Sequence, residues 1–364
     1  MLNKNIFCPY RTLTLAFQQA ARETRAICTP YYQALPFEGT PRNFLTSVAQ
    51  RGPRTAKTVI VVSSGVHGVE LFCGSTLQRA WLPLADAFTR EGKGSVRFVF
   101  AHALNPYGTA ADLRGDEKNI DPNRNFITDF SALPQTSTFY QAFAPILAAS
   151  SLSDAARLKT WCSIWHFAGR KGFQNFTDEL VKGQYGLPNI LFYGGAAPSW
   201  THNTWRKIVR DHVTDSAPER IIHLDLHSGS GPYGEMQILR PLHVTPAMQT
   251  LWGALAKQTG LEAQAFSPTH GDIINFWPQI APHVAEIIPM TIEVGTSKWG
   301  GVDTLDAMIR RNVLHTYFHD AHALAGKIRR QMRGAFTPND PQWRRGLLRQ
   351  GERLFSALLN ECKR

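Results

Sequence analysis

The sequence predicts an α/β protein in three layers (α/β/α), with a mixed, mostly parallel sheet between helices. Three observations carry that expectation. Four short apolar runs, at 59–62, 96–101, 221–226 and 287–292, have the β-branched, near-continuous apolar character of strands covered on both faces. Segments with helical spacing of apolar residues lie between them, the alternation expected of βαβ architecture. Three of the runs also end by delivering His or Glu, at the strand ends where open α/β sheets gather ligands.

Taken in order, residues 10–27 read as an amphipathic helix and 44–50 (FLTSVAQ) as an edge strand leading to the central one. The stretch VIVVSSGVHGVELFCGS, 59–75, is a buried strand that stops at Gly65 and presents His67 and Glu70 three residues apart. A helix is expected over 70–88 from Leu71, Leu77, Trp81 and Leu84, with Pro83 as a kink or break. The strand at 96–101 closes on the turn residues NPYG, 105–108. After it, ADLRGDEKNIDPNRNF is too rich in charge and turn formers to be core, and it carries Arg114, Asn123 and Arg124.

Residues 137–183 look helical, 190–193 a short strand and 199–213 a helix. IIHLDLHSGSG, 221–231, is a strand ending in His227, followed by a short strand at 236–239 and a helix over 245–260 that Gly260 stops. The strand IIPMTIEVGT presents Glu293 inside an apolar run, and a buried carboxylate needs a reason. A long helix is expected over 303–333 and a last amphipathic one over 342–359. The organisation expected is one domain, 1–364, with a helical insertion around 131–195 and a basic helical tail at 327–364. No internal repeat is present.

Composition sets bounds on function. With 364 residues, 43% of them hydrophobic, the chain can bury a large core. No stretch approaches the ~20 apolar residues of a membrane span, and the first residues lack a signal-peptide pattern, so a soluble, cytoplasmic protein without membrane partners is expected. Five scattered Cys form no C-x-x-C pair, which argues against a disulfide framework or a Cys-ligated zinc. Of the formal +11 charge, +7 sits in 327–364. Nucleic acid as a partner is disfavoured, because that tail resembles no nucleic-acid module.

His67 and Glu70 offer a borderline nitrogen and a hard carboxylate close enough to chelate one cation, as a catalytic zinc requires. Alone the spacing says little, since chance gives about one such pair in this composition, and His212 with Asp215 and His283 with Glu286 share it. The specific signal is the set. GVHGVE, NPYG, DPNRNF, DLHSG and TIEVGT occur in the order and type of zinc carboxypeptidases. The chain resembles most a poorly characterised bacterial branch of that superfamily, labelled only as a domain of unknown function.

That resemblance implies a zinc-carboxypeptidase-like fold and one zinc per chain, held by His67, Glu70 and His227. It implies Glu293 as general base, Asn123 and Arg124 as the pair that binds a substrate carboxylate, and Arg114 as the Arg that polarises the scissile carbonyl. The substrate expected is a small molecule or peptide bearing a carboxylate, hydrolysed at an amide bond. Asp225, on the same strand face as His227, is expected behind the ligands. Two departures stand out: 157 positions separate Glu70 from His227, and the interval from His243 to Glu293 holds no counterpart of the mobile substrate-binding Tyr, while Tyr233 lies just after the ligand.

Rival readings are an aspartoacylase-like amidase acting on N-acyl amino acids, and a binding protein on the same fold that lacks turnover. Single residues have plainer roles open to them: His227 bonded to backbone, Glu293 as an ion-pair partner, Arg114 solvated. His315, His319 and His322 share one predicted helix face, read as a helix boundary rather than a second metal site. The turn Thr269 to Asp272 is a candidate pocket lining, and Cys73 reads as core.

Overall fold

The computed structural model describes residues 8–37, 40–92, 95–148, 151–265, 269–318 and 322–363. Eight strands form one sheet: β1 (Ile27–Phe37), β2 (Thr40–Arg51), β3 (Thr58–Ser64), β4 (Val96–His102), β5 (Arg220–Ser228), β6 (Met236–Arg240), β7 (Ala263–Ala265) and β8 (Glu286–Val294). Their spatial order is β1-β2-β4-β3-β5-β8-β6-β7. The four central strands β4-β3-β5-β8 run parallel, and β1, β2 and the β6–β7 pair join antiparallel to their neighbours on either side. From β3 the chain crosses first to β4 on one side and later to β5 on the other. The crevice beyond the carboxyl ends of β3 and β5 is therefore the switch point where such sheets bind ligands.

The pleat explains the apolar runs. Val59 and Val61 face one layer, packing with Trp205, Ile208 and Trp277, while Ile60 and Val62 face the other, packing with Leu77, Trp81 and Phe355. The first layer holds the helix Trp200–Ile208 and the wide turn Val209–Val213 that ends it. Helices Cys8–Glu23, Leu71–Glu91, Pro246–Thr259 and Pro341–Glu361 cover the opposite face. A separate apolar cluster joins helices Thr138–Leu147, Asp154–Lys171 and Phe173–Val181 to Val302–Val313 and Ala325–Phe336, through Phe139, Phe143, Phe176, Leu305, Ile309 and Ile328.

Four local expectations change. The edge strand is β1, and 44–50 lies in β2, one strand further in. Pro83 does not end its helix, which runs from Leu71 to Glu91 with Pro83 on the exposed side; there water can take the carbonyl that the missing N–H leaves. No strand forms at 190–193, where Tyr193 alone bridges Ile120 and Gln184. The helix expected over 303–333 breaks, since Val302–Val313 passes into a wide turn, Leu314–Phe318, and residues 322–324 form a turn before the next helix, Ala325–Phe336. His315 lies in that wide turn and His322 in the turn just before Ala325, and His319 lies outside the described residues.

Candidate metal centre

Two glycines shape the loop after β3. Gly65 turns the chain at φ +70°, where a side chain is strained, and a Cβ on Gly68 would meet the Gly108 carbonyl carbon at 2.1 Å. The loop can therefore dock directly on the segment after β4, where the Gly68 and Val69 amides donate to the Arg114 and Leu113 carbonyls at 3.2 and 2.8 Å. This aims His67 and Glu70 at the end of β5. There His227 lies opposite Glu293 of β8 in the strand register.

His67, Glu70 and His227 form a buried group able to hold a metal ion, with one ligand atom of each within 4.8 Å of the others. His67 Nδ1 lies 2.8 Å from Glu70 Oε1, and His227 Nδ1 lies 3.0 Å from Glu70 Oε2. The far nitrogen of each ring meets a second carboxylate: His67 Nε2 is 3.1 Å from Asp121 Oδ1, and His227 Nε2 is 2.5 Å from Asp225 Oδ2. A neutral imidazole has one N–H. With those protons turned to the two Asp, a cation that displaces the Nδ1 protons would meet two nitrogen lone pairs and the Glu70 carboxylate in a dry space. Two imidazoles and a carboxylate suit zinc.

The electrostatics reflect the same crowding. Burial alone would raise the Glu70 carboxyl, but positive charge on His67 and His227 holds it well below the usual carboxylate range. Burial disfavours charge on His227, yet Asp225 and Glu70 hold its pKa well above that of a free imidazole. Glu293 goes the other way, pushed up to about 8 by burial and then by the nearby Glu70 charge. Its Oε1 accepts from the Ser230 amide at 3.0 Å, and among the described residues it makes no ion pair.

A cavity of about 730 Å³ opens beside the cluster, lined by all seven predicted site residues: His67, Glu70, Arg114, Asn123, Arg124, His227 and Glu293. Arg114 donates from Nε to Asp121 Oδ2 at 2.8 Å, reaches Glu70 Oε1 at 3.4 Å, and lies over the Phe192 ring. Arg124 is buried, donating to the Val181 carbonyl from Nε at 2.9 Å and to the Asn123 carbonyl at 2.7 Å. Asn123 Oδ1 accepts from the Ile273 amide at 2.9 Å. Thr177, Leu180 and Val181 add a wall from the helices between 138 and 181, and Thr269 and Asp272 also line the space. Tyr233 lies there with its hydroxyl donating to Asp340 at 2.7 Å and Lys298 over its ring.

Sequence reasoning missed Asp121, although it opens the DPNRNF motif. An Asp before Pro is a helix-capping signal, and Asp121 does accept from the Asn123 amide at 2.9 Å while meeting His67 and Arg114. It also missed Phe192, for which an apolar run gives no signal.

The fold and the cluster together define a three-layer α/β protein with a candidate metal centre at the carboxyl edge of its parallel strands. The chain belongs to the family described as "Protein of unknown function (DUF2817)", which matches residues 8–350. No curated protein matches it in sequence. Among solved structures it is similar to a metallo-carboxypeptidase from Burkholderia cenocepacia, at 13% identity and a TM-score of 0.45 over 83% of this chain and 66% of that one. It is also similar to carboxypeptidase A from Helicoverpa armigera, at 14% identity and TM-score 0.46, over 89% and 72%. A succinylglutamate desuccinylase from Chromobacterium violaceum matches at 14% and 0.37, over 89% and 74%.

Proposed function

We propose that this chain is a zinc-dependent hydrolase acting on an amide or peptide bond in a substrate that bears a carboxylate. The observation that carries the reading is the convergence of His67 Nδ1, His227 Nδ1 and the Glu70 carboxylate, beside Glu293 in a cavity that also holds Arg114, Asn123 and Arg124. One zinc ion held by His67, Glu70 and His227 supplies a Lewis acid for the substrate carbonyl and lowers the pKa of water.

The chain's own residues do the rest. Glu293, which lines the cavity beside the three candidate ligands, takes a proton from the attacking water and passes it to the leaving amine. Arg114, steadied by Asp121 and Phe192, places positive charge where the carbonyl oxygen becomes negative. Three of the five Arg124 N–H groups are committed to the carbonyls of Val181 and Asn123, which fixes its plane. Its remaining edge and Asn123 bind the substrate carboxylate. In this reading the chain is a single catalytic domain, and the insertion around 131–195 walls the cleft.

A second reading, hydrolysis of N-acyl amino acids, is supported by the cavity itself. Its ~730 Å³ falls in the range of small-molecule sites, about 300–1,000 Å³. The test is a panel of C-terminally free peptides, their carboxamides and N-acyl amino acids, assayed with zinc-loaded and chelator-treated protein. Zinc-dependent turnover of free carboxylates is expected, and peptides against acyl amino acids decide between the readings. Turnover that survives zinc removal, or none on any member, sinks both.

A further inference from the structure

Behind the Asp225 carboxylate, a line of buried polar groups runs through the sheet to a tryptophan. The Trp277 indole donates from Nε1 to His223 Nδ1 at 2.9 Å. His223 Nε2 lies 2.7 Å from the Ser63 hydroxyl, Ser63 Oγ donates to Asp225 Oδ1 at 2.5 Å, and Asp225 Oδ2 lies 2.5 Å from His227 Nε2. Ser63 and Asp225 are paired in the register of β3 and β5, and both are fully buried with His223. Trp205 stacks on the His223 ring, with centroids 5.2 Å apart.

This line has only one polarity open to it. An indole nitrogen only donates, so His223 Nδ1 accepts and carries no proton. The ring is then neutral with its proton on Nε2, which donates to Ser63 Oγ. The single Ser63 proton is left for Asp225 Oδ1. Asp225, with that oxygen satisfied, accepts the His227 Nε2–H at the other, which leaves His227 Nδ1, 3.0 Å from Glu70 Oε2, as the nitrogen that faces the cluster. Without the indole N–H, His223 can instead hold its proton on Nδ1 and accept from Ser63, and Asp225 Oδ1 then loses its donor.

We infer that Trp277, His223 and Ser63 are positioning residues that hold the Asp225 carboxylate against His227 Nε2, so that Nδ1 is the nitrogen left facing Glu70. The use of Nδ1 for zinc rests on the function proposed above; the proton order from Trp277 to Asp225 does not. The groups closing on His223 are Trp277 and Trp205 from one layer and Ser63 from β3, so the set is closed to water and its proton order is a property of packing.

The experiment uses the full chain labelled with ¹⁵N-histidine. Long-range ¹H–¹⁵N spectra, with and without Zn²⁺, read the proton position on His223 and His227, and competition with a chelator reads Zn²⁺ affinity. In the wild type His223 is expected as the Nε2–H tautomer with and without Zn²⁺, and His227 is expected to keep only its Nε2 proton once Zn²⁺ is bound. Trp277→Phe keeps the aromatic ring and loses the N–H; His223 should then show mixed tautomers and Zn²⁺ affinity should fall roughly threefold or more. Ser63→Ala should lower it about 10-fold, within the range for groups behind a ligand, and Ser63→Thr, which restores the hydroxyl, should recover it to within about twofold. A wild-type His223 with its proton on Nδ1 overturns the inference without any variant. So does unchanged Zn²⁺ affinity in folded Trp277→Phe and Ser63→Ala. Wild-type protein with His223 as the Nε2–H tautomer but no Zn²⁺ uptake supports the proton order of the line and overturns the zinc reading.

Discussion

The two histidines of the candidate metal centre present the same atom, Nδ1, to the same carboxylate, yet they are anchored to different parts of the molecule. His67 is held by Asp121, which also meets Arg114 and caps the turn carrying Asn123 and Arg124. His227 is held by Asp225, whose other oxygen is engaged inside the sheet by Ser63. One ring is thus tied to the groups that line the cavity, the other to the packed interior. Metal binding and substrate handling are expected to be coupled through His67 and separable through His227.

The largest effect is common to both. His67→Ala and His227→Ala should each abolish zinc retention and turnover in a chain that still melts cooperatively, measured by metal analysis and calorimetry; stoichiometric zinc in either would break the comparison at its base. Glu293→Gln comes next. It keeps shape and zinc but cannot accept a proton, so kcat should fall about 10²- to 10⁴-fold with little change in KM. Because burial and the Glu70 charge already disfavour the ionised Glu293, the same change should not lower the melting temperature. A zinc-loaded, fully active Glu293→Gln protein refutes the mechanism.

The comparison itself is sharpened by Asp121→Asn against Asp225→Asn. Both should weaken Zn²⁺ by roughly 10- to 100-fold. Only Asp121→Asn should also raise KM once zinc is saturating, and equal KM values for the two variants remove the asymmetry. The smallest effect is expected of Arg124→Ala, with zinc content unchanged and KM for free carboxylates raised about 10-fold over the matching carboxamides. Equal losses on both substrate types would mean that Arg124 only ties the chain to Val181.

The candidate site was legible where chemistry and strand ends coincide. β3, β5 and β8 announce themselves by β-branched runs, and each delivers its His or Glu at or just beyond its carboxyl end. What could not be read was partnership across long sequence gaps. Asp121 sits 54 positions from His67, and Trp277 sits 54 positions from His223 at the start of a four-residue helix with no motif. β1 escaped because ICTPYYQALPF carries two prolines, which demote a strand in any local pattern, and only its pairing with β2 over eleven positions makes it one. The break after Val313 has no proline or glycine to mark it.

Those prolines have a consequence at the margin of the sheet. Pro36 stands opposite Pro41, and a pair with no N–H between them cannot be hydrogen-bonded. Alternation then turns every even-numbered N–H of β1 outward, and at 30 and 36 there is none to offer. An incoming strand would find donors only at Cys28, Tyr32 and Ala34, and at the opposite margin it would find β7, three residues long. Neither border templates a continuous ladder, so strand-by-strand growth into fibrils or stacked sheets is blocked at both ends of the same eight strands.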